Sequence, residues 1–258
     1  LHERGMPAWW APLLEFAFTI SYVVLAPFVG ALADAWPKAR LMGWMNGVKI
    51  VGVFALLMGA HPVAAFAVVG FGAAAYAPAK YGLTTELVPP ERLVAANGML
   101  EVSVVLAVLL GTAAGGALAG TLWFESTAFG AVSHALTWLD PLVSHGLLES
   151  NESIESRVSL GQWPLAASIA VVLGIYLLAS VANIGVPDSG ARYPAVAFHP
   201  RTLWREFSAA NRTLWHDREG GLSLAVTTIF WGLGATLQIA VLRWAADALA
   251  LPLGQAAY

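Results

Sequence analysis

The sequence contains no cysteine, which excludes disulfide bonds, thiolate metal sites and cysteine nucleophiles. Charge is scarce as well: Asp, Glu, Lys and Arg make up 11% of the 258 residues, whereas an ordinary globular domain carries about 25%. The net charge of −3 predicts neither nucleic-acid binding nor a surface for acidic substrates. Apolar residues take the place of charge, since 58% of the residues are hydrophobic and the mean hydropathy is +0.69. This balance is typical of a protein that crosses a membrane.

Motifs of the common hydrolytic and nucleotide-dependent enzymes are missing from the sequence. All six histidines fall outside the apolar runs, and none belongs to an HExxH zinc motif. No glycine-rich phosphate loop precedes a Lys-Ser or Lys-Thr pair. A metal site needs several converging ligands, and no such set stands out. The sequence therefore predicts a protein that is not an enzyme and has no cofactor, no metal and no nucleic-acid partner.

Long apolar runs divide the sequence into membrane-spanning segments. A helix needs about 20 apolar residues to cross a hydrocarbon core of about 30 Å, and these runs do not alternate as the strands of a membrane barrel do. Prolines fall where such helices should end, at Pro37, Pro62, Pro89, Pro141 and Pro187. The pattern predicts an all-α polytopic membrane protein. Its predicted spans cover residues 11–33, 41–60, 63–83, 98–120, 162–185 and 222–247.

The distribution of Lys and Arg among the loops predicts the orientation. Residues 34–40, 84–97 and 186–221 fall on one side and hold eight of the thirteen bases, against two, Arg4 and Arg157, on the other side. Loops rich in Lys and Arg stay in the cytoplasm, so the first side is predicted to be cytoplasmic. The segment 121–161 is then external, and a short interfacial helix is expected near residues 129–148. The cytoplasmic bases are Lys38, Arg40, Arg92, Arg192, Arg201, Arg205, Arg212 and Arg218.

The segment 186–221 is long, polar and basic, and it separates five predicted spans from the sixth. Two groups of aromatic and basic residues lie in it, from Trp204 to Phe207 and from Trp215 to Arg218. These groups suit an amphipathic helix at the anionic cytoplasmic leaflet. A solvated connector with incidental tryptophans is an equal alternative.

One acid and two bases lie between the first two spans, in the segment from Gly30 to Arg40. A small residue such as Gly30 lets two helices approach closely. Asp34 is placed to face the N-terminal dipole of a neighbouring helix, while Lys38 and Arg40 hold the turn on the cytoplasmic side. The pattern predicts a gating hinge made by Gly30, Asp34, Lys38 and Arg40. It resembles the loop between the second and third helices of major facilitator superfamily transporters, with Pro37 and Lys38 where many members carry Gly and Arg.

Charged residues inside the predicted spans are the first candidates for function, because each costs at least about 2.5 kcal/mol at the bilayer centre on insertion scales. Lys49 lies deep in the second span, where either a cavity-facing role or an internal salt bridge would account for it. Lys80 lies near the cytoplasmic end of the third span, so its ammonium either faces a cavity or extends to the interface. Glu101 lies one turn inside the fourth span, placed to pair with Lys80 or with the N-terminus of its own helix.

Glycines recur in the fourth span as two pairs with four-residue spacing, Gly111 with Gly115 and Gly116 with Gly120. Small residues at this spacing let membrane helices pack backbone to backbone. The sequence predicts a helix-packing seam along this face.

Longer blocks of sequence resemble one particular family within the superfamily. They include APFVGALAD at 26–34, MNGVKIVG at 45–52, GFGAAAYAPAKYG at 70–82, LVAANGMLE at 93–101 and TTIFWGLGATLQ at 227–238. In this order the chain is similar to the bacterial lysophospholipid transporter family of the major facilitator superfamily. The resemblance implies a twelve-helix bundle of the bacterial inner membrane. This chain is expected to be a fragment holding about helices 2 to 7, without helix 1 and helices 8 to 12.

The resemblance further implies movement of lysophosphatidylethanolamine and related lysolipids from the outer to the inner leaflet. There a partner, 2-acylglycerophosphoethanolamine acyltransferase, re-acylates them. The expected layout is an N-terminal bundle over 1–185 that lacks its first helix, a central cytoplasmic loop over 186–221, and the first helix of the C-terminal bundle over 222–258. A carrier of a soluble solute such as a sugar or drug is the alternative function. A membrane scaffold or a membrane-bound acyltransferase is a more distant one.

Alternating access, in which two bundles rock about the substrate, is the mechanism that fits such a chain. A lysolipid requires a polar pocket for its phosphate and an apolar groove for its acyl chain. Lys49 and Lys80 are the candidates to meet the phosphate, and the gating residues are expected to latch the cytoplasmic side. The other candidate substrate-binding residues are Asn46, Tyr22, Tyr76, Glu101 and Gln238, the last of which stands where the family carries Arg.

Overall fold

The computed structural model describes residues 9–140, 164–191, 193 and 199–249. Every regular element within these residues is helical, which confirms the all-α prediction. The α-helices are α1 (Trp10–Ala35), α2 (Lys38–Leu57), α3 (Pro62–Leu87), α4 (Leu93–Leu118), α5 (Thr121–Phe124), α6 (Thr127–Leu136), α7 (Pro164–Ile184), α8 (Pro200–His216) and α9 (Arg218–Leu249). Two 3-10 turns, Pro90–Arg92 and Thr137–Leu139, precede α4 and follow α6.

Six helices of the described residues are long and apolar enough to cross a membrane. They are α1, α2, α3, α4, α7 and α9, which confirms the six predicted spans. The boundaries differ from the prediction, because α4 begins at Leu93 rather than at 98 and α2 covers Lys38–Leu57 rather than 41–60. Polar residues at a helix start, such as Asn97 in α4 and Arg40 in α2, lower the local hydropathy without ending the helix.

Local sequence sets the ends of the first three helices. The helix α1 ends two residues before Pro37, which cannot continue a helix. At the end of α2, the Ala60 N–H donates to the Ala55 carbonyl at 2.9 Å, and Gly59 has a φ of 87°. Glycine adopts this left-handed conformation without strain at helix ends of this type. Pro62 then occupies the first turn of α3, where a backbone N–H is not needed.

Of the described residues, 9–98, 131–140, 164–191 and 193 form one compact unit, which contains α1, α2, α3 and α7. The helix α3 packs along both α1 and α2, and α7 packs against α2. The buried core gathers at the helix ends nearest Pro37, where Leu41 is 1% exposed. The core residues are Ala33, Leu41, Met42, Met45, Ala75, Ala79 and Leu83.

Glycine lets α3 approach its neighbours at backbone distance. A Cβ on Gly72 would lie 2.8 Å from the carbonyl oxygen of Met45 in α2. A Cβ on Gly70 would collide with the backbone of Phe18 in α1. Small residues permit this kind of contact between membrane helices, so α3 is the closely packed helix of the first unit.

Gly111 and Gly115 of the seam predicted on α4, and Gly30 of α1, have no close neighbour among the described residues, so the packing expected at them stays a prediction. A Cβ at any of these three positions would meet nothing within 4 Å among the residues that the structure describes. Spacing identifies residues that share a helix face, but it does not say which face meets a neighbour. The close contacts occur on α3 instead.

The described residues 99–130 and 199–249 form the other unit, which contains most of α4 together with α5, α8 and α9. Within it α8 packs against α9, and the two helices are joined by Asp217 alone, in an extended conformation. The interfacial helix expected near 129–148 corresponds to α6, which ends at Leu136. Residues 141–148 lie outside the described part of the chain.

Candidate functional site

Lys49 lies near the middle of α2, eleven residues after the helix begins at Lys38. That is about 16 Å along the axis at 1.5 Å per residue, farther than a lysine side chain extends to reach an interface. Its Nζ lies 4.2 Å from the ring centroid of Tyr76 in α3 and 5.6 Å from that of Tyr176 in α7. Among the described residues, no carboxylate lies within salt-bridge distance of this ammonium.

The two rings reduce the cost of placing Lys49 in the membrane without neutralising its charge. A lysine at the helix centre costs about 2.5–3.5 kcal/mol on insertion scales. Each cation–π contact offsets about 0.5–2 kcal/mol of that. The internal salt bridge that would also explain this lysine is not formed by the described residues. The ammonium is therefore a positive charge held among aromatic rings with capacity to bind an anion.

Two further polar residues lie on α2 itself and on the neighbouring α1. Asn46 precedes Lys49 by one turn and is 2% exposed. Tyr22 of α1 is close enough to Tyr176 for the two hydroxyl groups to interact electrostatically. Gly72 makes room for the lysine stem, since a Cβ there would lie 2.8 Å from Lys49 Cγ. The lysine pocket is the name used below for Lys49, Tyr76, Tyr176 and Tyr22, contributed by α2, α3, α7 and α1.

Tyr176 is the member of the lysine pocket that the sequence analysis missed. It is the one aromatic residue of α7, whose sequence is otherwise small and aliphatic apart from Ser and Asn. A single aromatic hydroxyl in such a span is a signal of a polar contact. Its partner was not readable, because α7 comes far after α2 in the chain and only the packing brings Tyr176 to Lys49.

Lys80 lies one turn after Tyr76 on the same face of α3. Its side chain is half-buried, and its Nζ lies 4.6 Å from the ring centroid of the adjacent Tyr81. Lys80 therefore provides a second cation one turn beyond the ring that Lys49 contacts.

The structure leaves two predicted binding residues untested. Glu101 lies exposed on α4. Gln238 belongs to α9, and its side chain is outside the described residues. In the described part of the chain, no group of three or more His, Asp or Glu residues is arranged to hold a metal ion.

Lys38, in the first turn of α2, makes ion pairs with residues of two other helices. Its side chain is only 6% exposed, and its Nζ lies 2.5 Å from Glu86 near the end of α3, which is 8% exposed. Asp34, in the last turn of α1, is 3.7 Å away and 54% exposed. Gly82 gives the lysine space, because a Cβ there would lie 2.7 Å from Lys38 Cε. Three helix ends thus meet at one buried cation.

The segment after α7 completes this site. The Ser189 hydroxyl donates to Glu86 at 2.5 Å, and the Tyr193 hydroxyl bonds to the same carboxylate. The Tyr193 ring centroid lies 4.4 Å from Lys38 Nζ. Gly190, with a φ of 76°, makes the turn that brings both side chains to Glu86. The hydrogen bond to Glu86 and the charge of that carboxylate raise the pKa of Tyr193. The latch cluster is the name used below for Asp34, Lys38, Glu86, Ser189 and Tyr193.

Two of the four predicted gating residues belong to the latch cluster. Asp34 and Lys38 pair with each other, whereas Arg40 and Gly30 are exposed on the neighbouring turns. The sequence analysis missed Glu86, although an acid at the end of a span was a signal that a base should lie nearby. Ser189 and Tyr193 carried no comparable signal, because they follow α7 in an irregular segment. The gating role itself stays a prediction.

An apolar groove of about 460 Å³ lies between α1 and α3. Its one hydroxyl, that of Ser21, donates to the Ala67 carbonyl at 3.1 Å, so the groove offers aliphatic and aromatic surface. The lining residues are Ile20, Ser21, Val24, Leu25, Ala67, Val68 and Phe71. A groove of this kind suits a hydrocarbon chain.

A model of the Major Facilitator Superfamily matches residues 10–256 of this chain. The chain belongs to the major facilitator superfamily. It is also 36% identical over 251 residues to the protein named lysophospholipid transporter LplT of Yersinia pestis (strain Pestoides F). The same identity holds for the LplT protein of Yersinia pseudotuberculosis serotype O:3 (strain YPIII). Each alignment covers 97% of this chain and 52% of the relative, so the chain spans about half the length of these relatives. No solved structure gives a significant match.

Membership in the major facilitator superfamily confirms the resemblance read from the hinge segment, and it agrees with six helices capable of spanning a membrane in the described residues. The similarity to proteins named lysophospholipid transporters confirms the narrower resemblance read from the longer blocks. The relatives are named transporters of this superfamily, which is consistent with the prediction that the chain is not an enzyme.

Proposed function

We propose that this chain is part of a transporter that moves lysophosphatidylethanolamine and related lysophospholipids from the outer to the inner leaflet of the bacterial inner membrane. One observation carries the proposal: the Lys49 ammonium lies in a membrane span between two tyrosine rings, without a carboxylate partner among the described residues. The similarity to the Yersinia transporters supports the choice of lipid.

The lysine pocket binds the phosphate of the headgroup. In the empty pocket the ammonium is held by the faces of Tyr76 and Tyr176. A phosphate oxygen replaces this contact with a charge-assisted hydrogen bond, which contributes about 1.5–3 kcal/mol. The buried Asn46 amide and the tyrosine hydroxyls supply donors and acceptors for the glycerol and ethanolamine groups. Lys80 lies one turn farther along α3 and provides a second cation that the phosphate contacts as it moves on from Lys49.

The groove between α1 and α3 binds the acyl chain. Its volume of about 460 Å³ and its apolar lining suit a hydrocarbon chain. A lysolipid carries one acyl chain and one phosphate, and we assign the chain to the groove and the phosphate to the lysine pocket.

Transport proceeds by alternating access between two bundles. In this layout residues 1–185 belong to the N-terminal bundle, 186–221 form the central cytoplasmic loop and 222–258 begin the C-terminal bundle. The latch cluster holds the cytoplasmic ends of α1, α2 and α3 to the segment after α7, and Gly30 and Arg40 flank it. Because Lys38 is buried with two acids around it, the cluster fixes the start of the central loop to the cytoplasmic end of the N-terminal bundle, and we propose that this attachment positions the loop during the movement of the bundles.

The lysolipid delivered to the inner leaflet is a substrate for re-acylation, so an acyltransferase of the inner membrane is the functional partner we infer. The positive charge of the loops at 34–40, 84–97 and 186–221 supports a cytoplasmic position for this side. The surrounding lipids complete the set of partners.

The test is a transport assay with the full-length protein in liposomes. Inward movement of labelled lysophosphatidylethanolamine is compared with that of diacyl phosphatidylethanolamine and of a soluble sugar. The wild-type protein should move the lysolipid selectively. Lys49→Ala should reduce the rate about 10- to 100-fold, as expected for the loss of one charge-assisted hydrogen bond.

Lys80→Ala is the matched control, because it removes the same charge one turn beyond the pocket and should cost less. Lys49→Arg should retain part of the activity, since it restores the charge. Selective movement of the sugar would favour the soluble-solute carrier. Unchanged lysolipid transport by a well-folded Lys49→Ala variant would exclude the role proposed for the pocket.

A further inference from the structure

The helix α8 has three kinds of side chain arranged in order around its axis. At 100° per residue, Phe207 and Leu214 share one face and Trp204 and Trp215 lie beside them. Three arginines, Arg201, Arg205 and Arg212, cluster within about 40° of one another on the far side of the tryptophans. The same order is found at a membrane surface, where apolar side chains meet the hydrocarbon, tryptophans lie among the headgroups and arginines face the headgroup phosphates and water.

The apolar and aromatic side chains of α8 are exposed. Trp204 is 57% exposed, Phe207 37%, Leu214 45% and Trp215 49%. The one buried residue of the helix is Leu203, so the rest of this face is available to another surface. Exposed apolar area of this extent on a helix indicates an interaction site.

The connection to α9 fixes α8 at the point where a membrane span begins. Asp217 alone separates the two helices, and its extended conformation prevents them from running as one rod. Its carboxylate accepts a hydrogen bond from the Gly220 N–H at 2.7 Å. A Cβ on Gly220 would lie 2.6 Å from Leu214 Cδ1, so the last turn of α8 lies against the first turn of α9. The candidate span of α9 starts at Arg218.

We propose that α8 lies in the plane of the membrane, with Phe207, Leu214 and the two tryptophans in the interface and its arginines on anionic lipid headgroups. Charge selects the lipid: α8 carries three arginines against one acid, Glu206. Each base near an anionic surface adds about fivefold to binding. The inference rests on membership in a membrane family and not on the identity of the transported substrate.

The absence of cysteine from this chain makes a site-directed label the direct test. Any cysteine elsewhere in the full-length protein is first replaced. Ala210→Cys places a label beside Leu214 on the apolar face, and Ala209→Cys places it one residue away on the polar face. Both alanines are exposed, so the pair is matched in residue type and accessibility. The labelled proteins are reconstituted in phosphatidylcholine vesicles with or without phosphatidylglycerol, and quenching by brominated lipid and by aqueous iodide is measured.

The label at 210 should be quenched by brominated lipid and protected from iodide, while the label at 209 should show the reverse. Phosphatidylglycerol should strengthen this difference, and Arg201, Arg205 and Arg212 replaced together by Gln should weaken it. Equal access of iodide to both labels would overturn the proposal in favour of a solvated connector. Protection of the label at 210 from both quenchers would overturn it in favour of a protein partner. If the difference in quenching between the two labels did not change with phosphatidylglycerol, the role of the arginines would be overturned.

Discussion

Glu86→Gln should destabilise the protein by about 3 kcal/mol, because it removes the charge that neutralises a buried lysine. Lys38 is 6% exposed and lies 2.5 Å from Glu86, and removing one partner of a buried ion pair costs about 3–5 kcal/mol. The lower end applies here, since Asp34 at 3.7 Å and the Tyr193 ring at 4.4 Å remain near the ammonium. The glutamine keeps the shape of the side chain, so packing is little changed.

Asp34→Asn is the matched comparison, since it removes a carboxylate from the same lysine. Asp34 is 54% exposed and farther away, and exposed ion pairs contribute about 0–1 kcal/mol. Thermal unfolding of the purified full-length protein, followed by tryptophan fluorescence, measures both. For a protein about twice as long as this chain, Tm changes by about 1 °C per kcal/mol, so Glu86→Gln should lower Tm by about 3 °C and Asp34→Asn by less than about 1 °C.

A double variant separates charge from packing. Lys38→Met combined with Glu86→Gln leaves no unpaired charge, so it should recover most of the stability lost by Glu86→Gln alone. If Asp34→Asn were as damaging as Glu86→Gln, or if the two changes at Lys38 and Glu86 simply added, the argument that burial makes the Lys38–Glu86 pair dominant would be refuted.

Two further predictions concern packing and pH. Gly72→Ala should destabilise the protein by about 1–3 kcal/mol, because the new methyl group meets the Met45 carbonyl at 2.8 Å. Gly30→Ala meets nothing within 4 Å among the described residues, so it should be neutral or stabilising by up to about 1 kcal/mol. The difference in Tm between the two variants checks this, and equal losses of Tm would contradict it. Tyr193 has a pKa raised above its ordinary value of 10.0 by Glu86, so its contribution to stability is present below pH 10 and is lost only as the pH rises through the higher value. The phenolate absorbance of Tyr193 is the part of the pH-dependent absorbance that Tyr193→Phe lacks. It should appear above pH 10 in the wild type and at lower pH in Glu86→Gln. Titration of Tyr193 at or below its ordinary pKa would be inconsistent with the hydrogen bond to Glu86.

The helical fold could be predicted from the sequence, because few backbone structures satisfy their own hydrogen bonds in lipid. Apolar runs of about 20 residues must form helices to satisfy their backbone groups. Pro37, Pro62 and Pro89 mark helix ends, whereas Pro27 and Pro78 lie inside α1 and α3. Boundaries were less accessible: Lys38 and Arg40 were expected in a loop, yet both lie in α2. Neither charge ends the helix, because Lys38 is paired with Glu86 inside the bundle and Arg40 is exposed.

The candidate site was only partly accessible, because it depends on contacts between helices that are distant in the sequence. Lys49 was identified by the cost of its charge in a span. Its contact with Tyr176 depends on α7 packing against α2. Glycine spacing did not identify the close approach of α3 to its neighbours, which occurs at Gly70 and Gly72. Which face of a helix is covered is decided by tertiary packing and not by periodicity.

The central claim is that Lys49 binds the phosphate of a lysolipid, and a ligand pair tests it most directly. Lysophosphatidylethanolamine and a monoacylglycerol of the same chain length share the acyl chain and differ by the phosphate-bearing headgroup. Their affinities for the full-length protein are measured with the wild type and with Lys49→Met, which keeps the length of the side chain without its charge. The wild type should prefer the phosphate-bearing lipid, and Lys49→Met should lose about 10- to 100-fold of that preference while binding monoacylglycerol as before. An unchanged preference in a well-folded Lys49→Met variant would contradict the account.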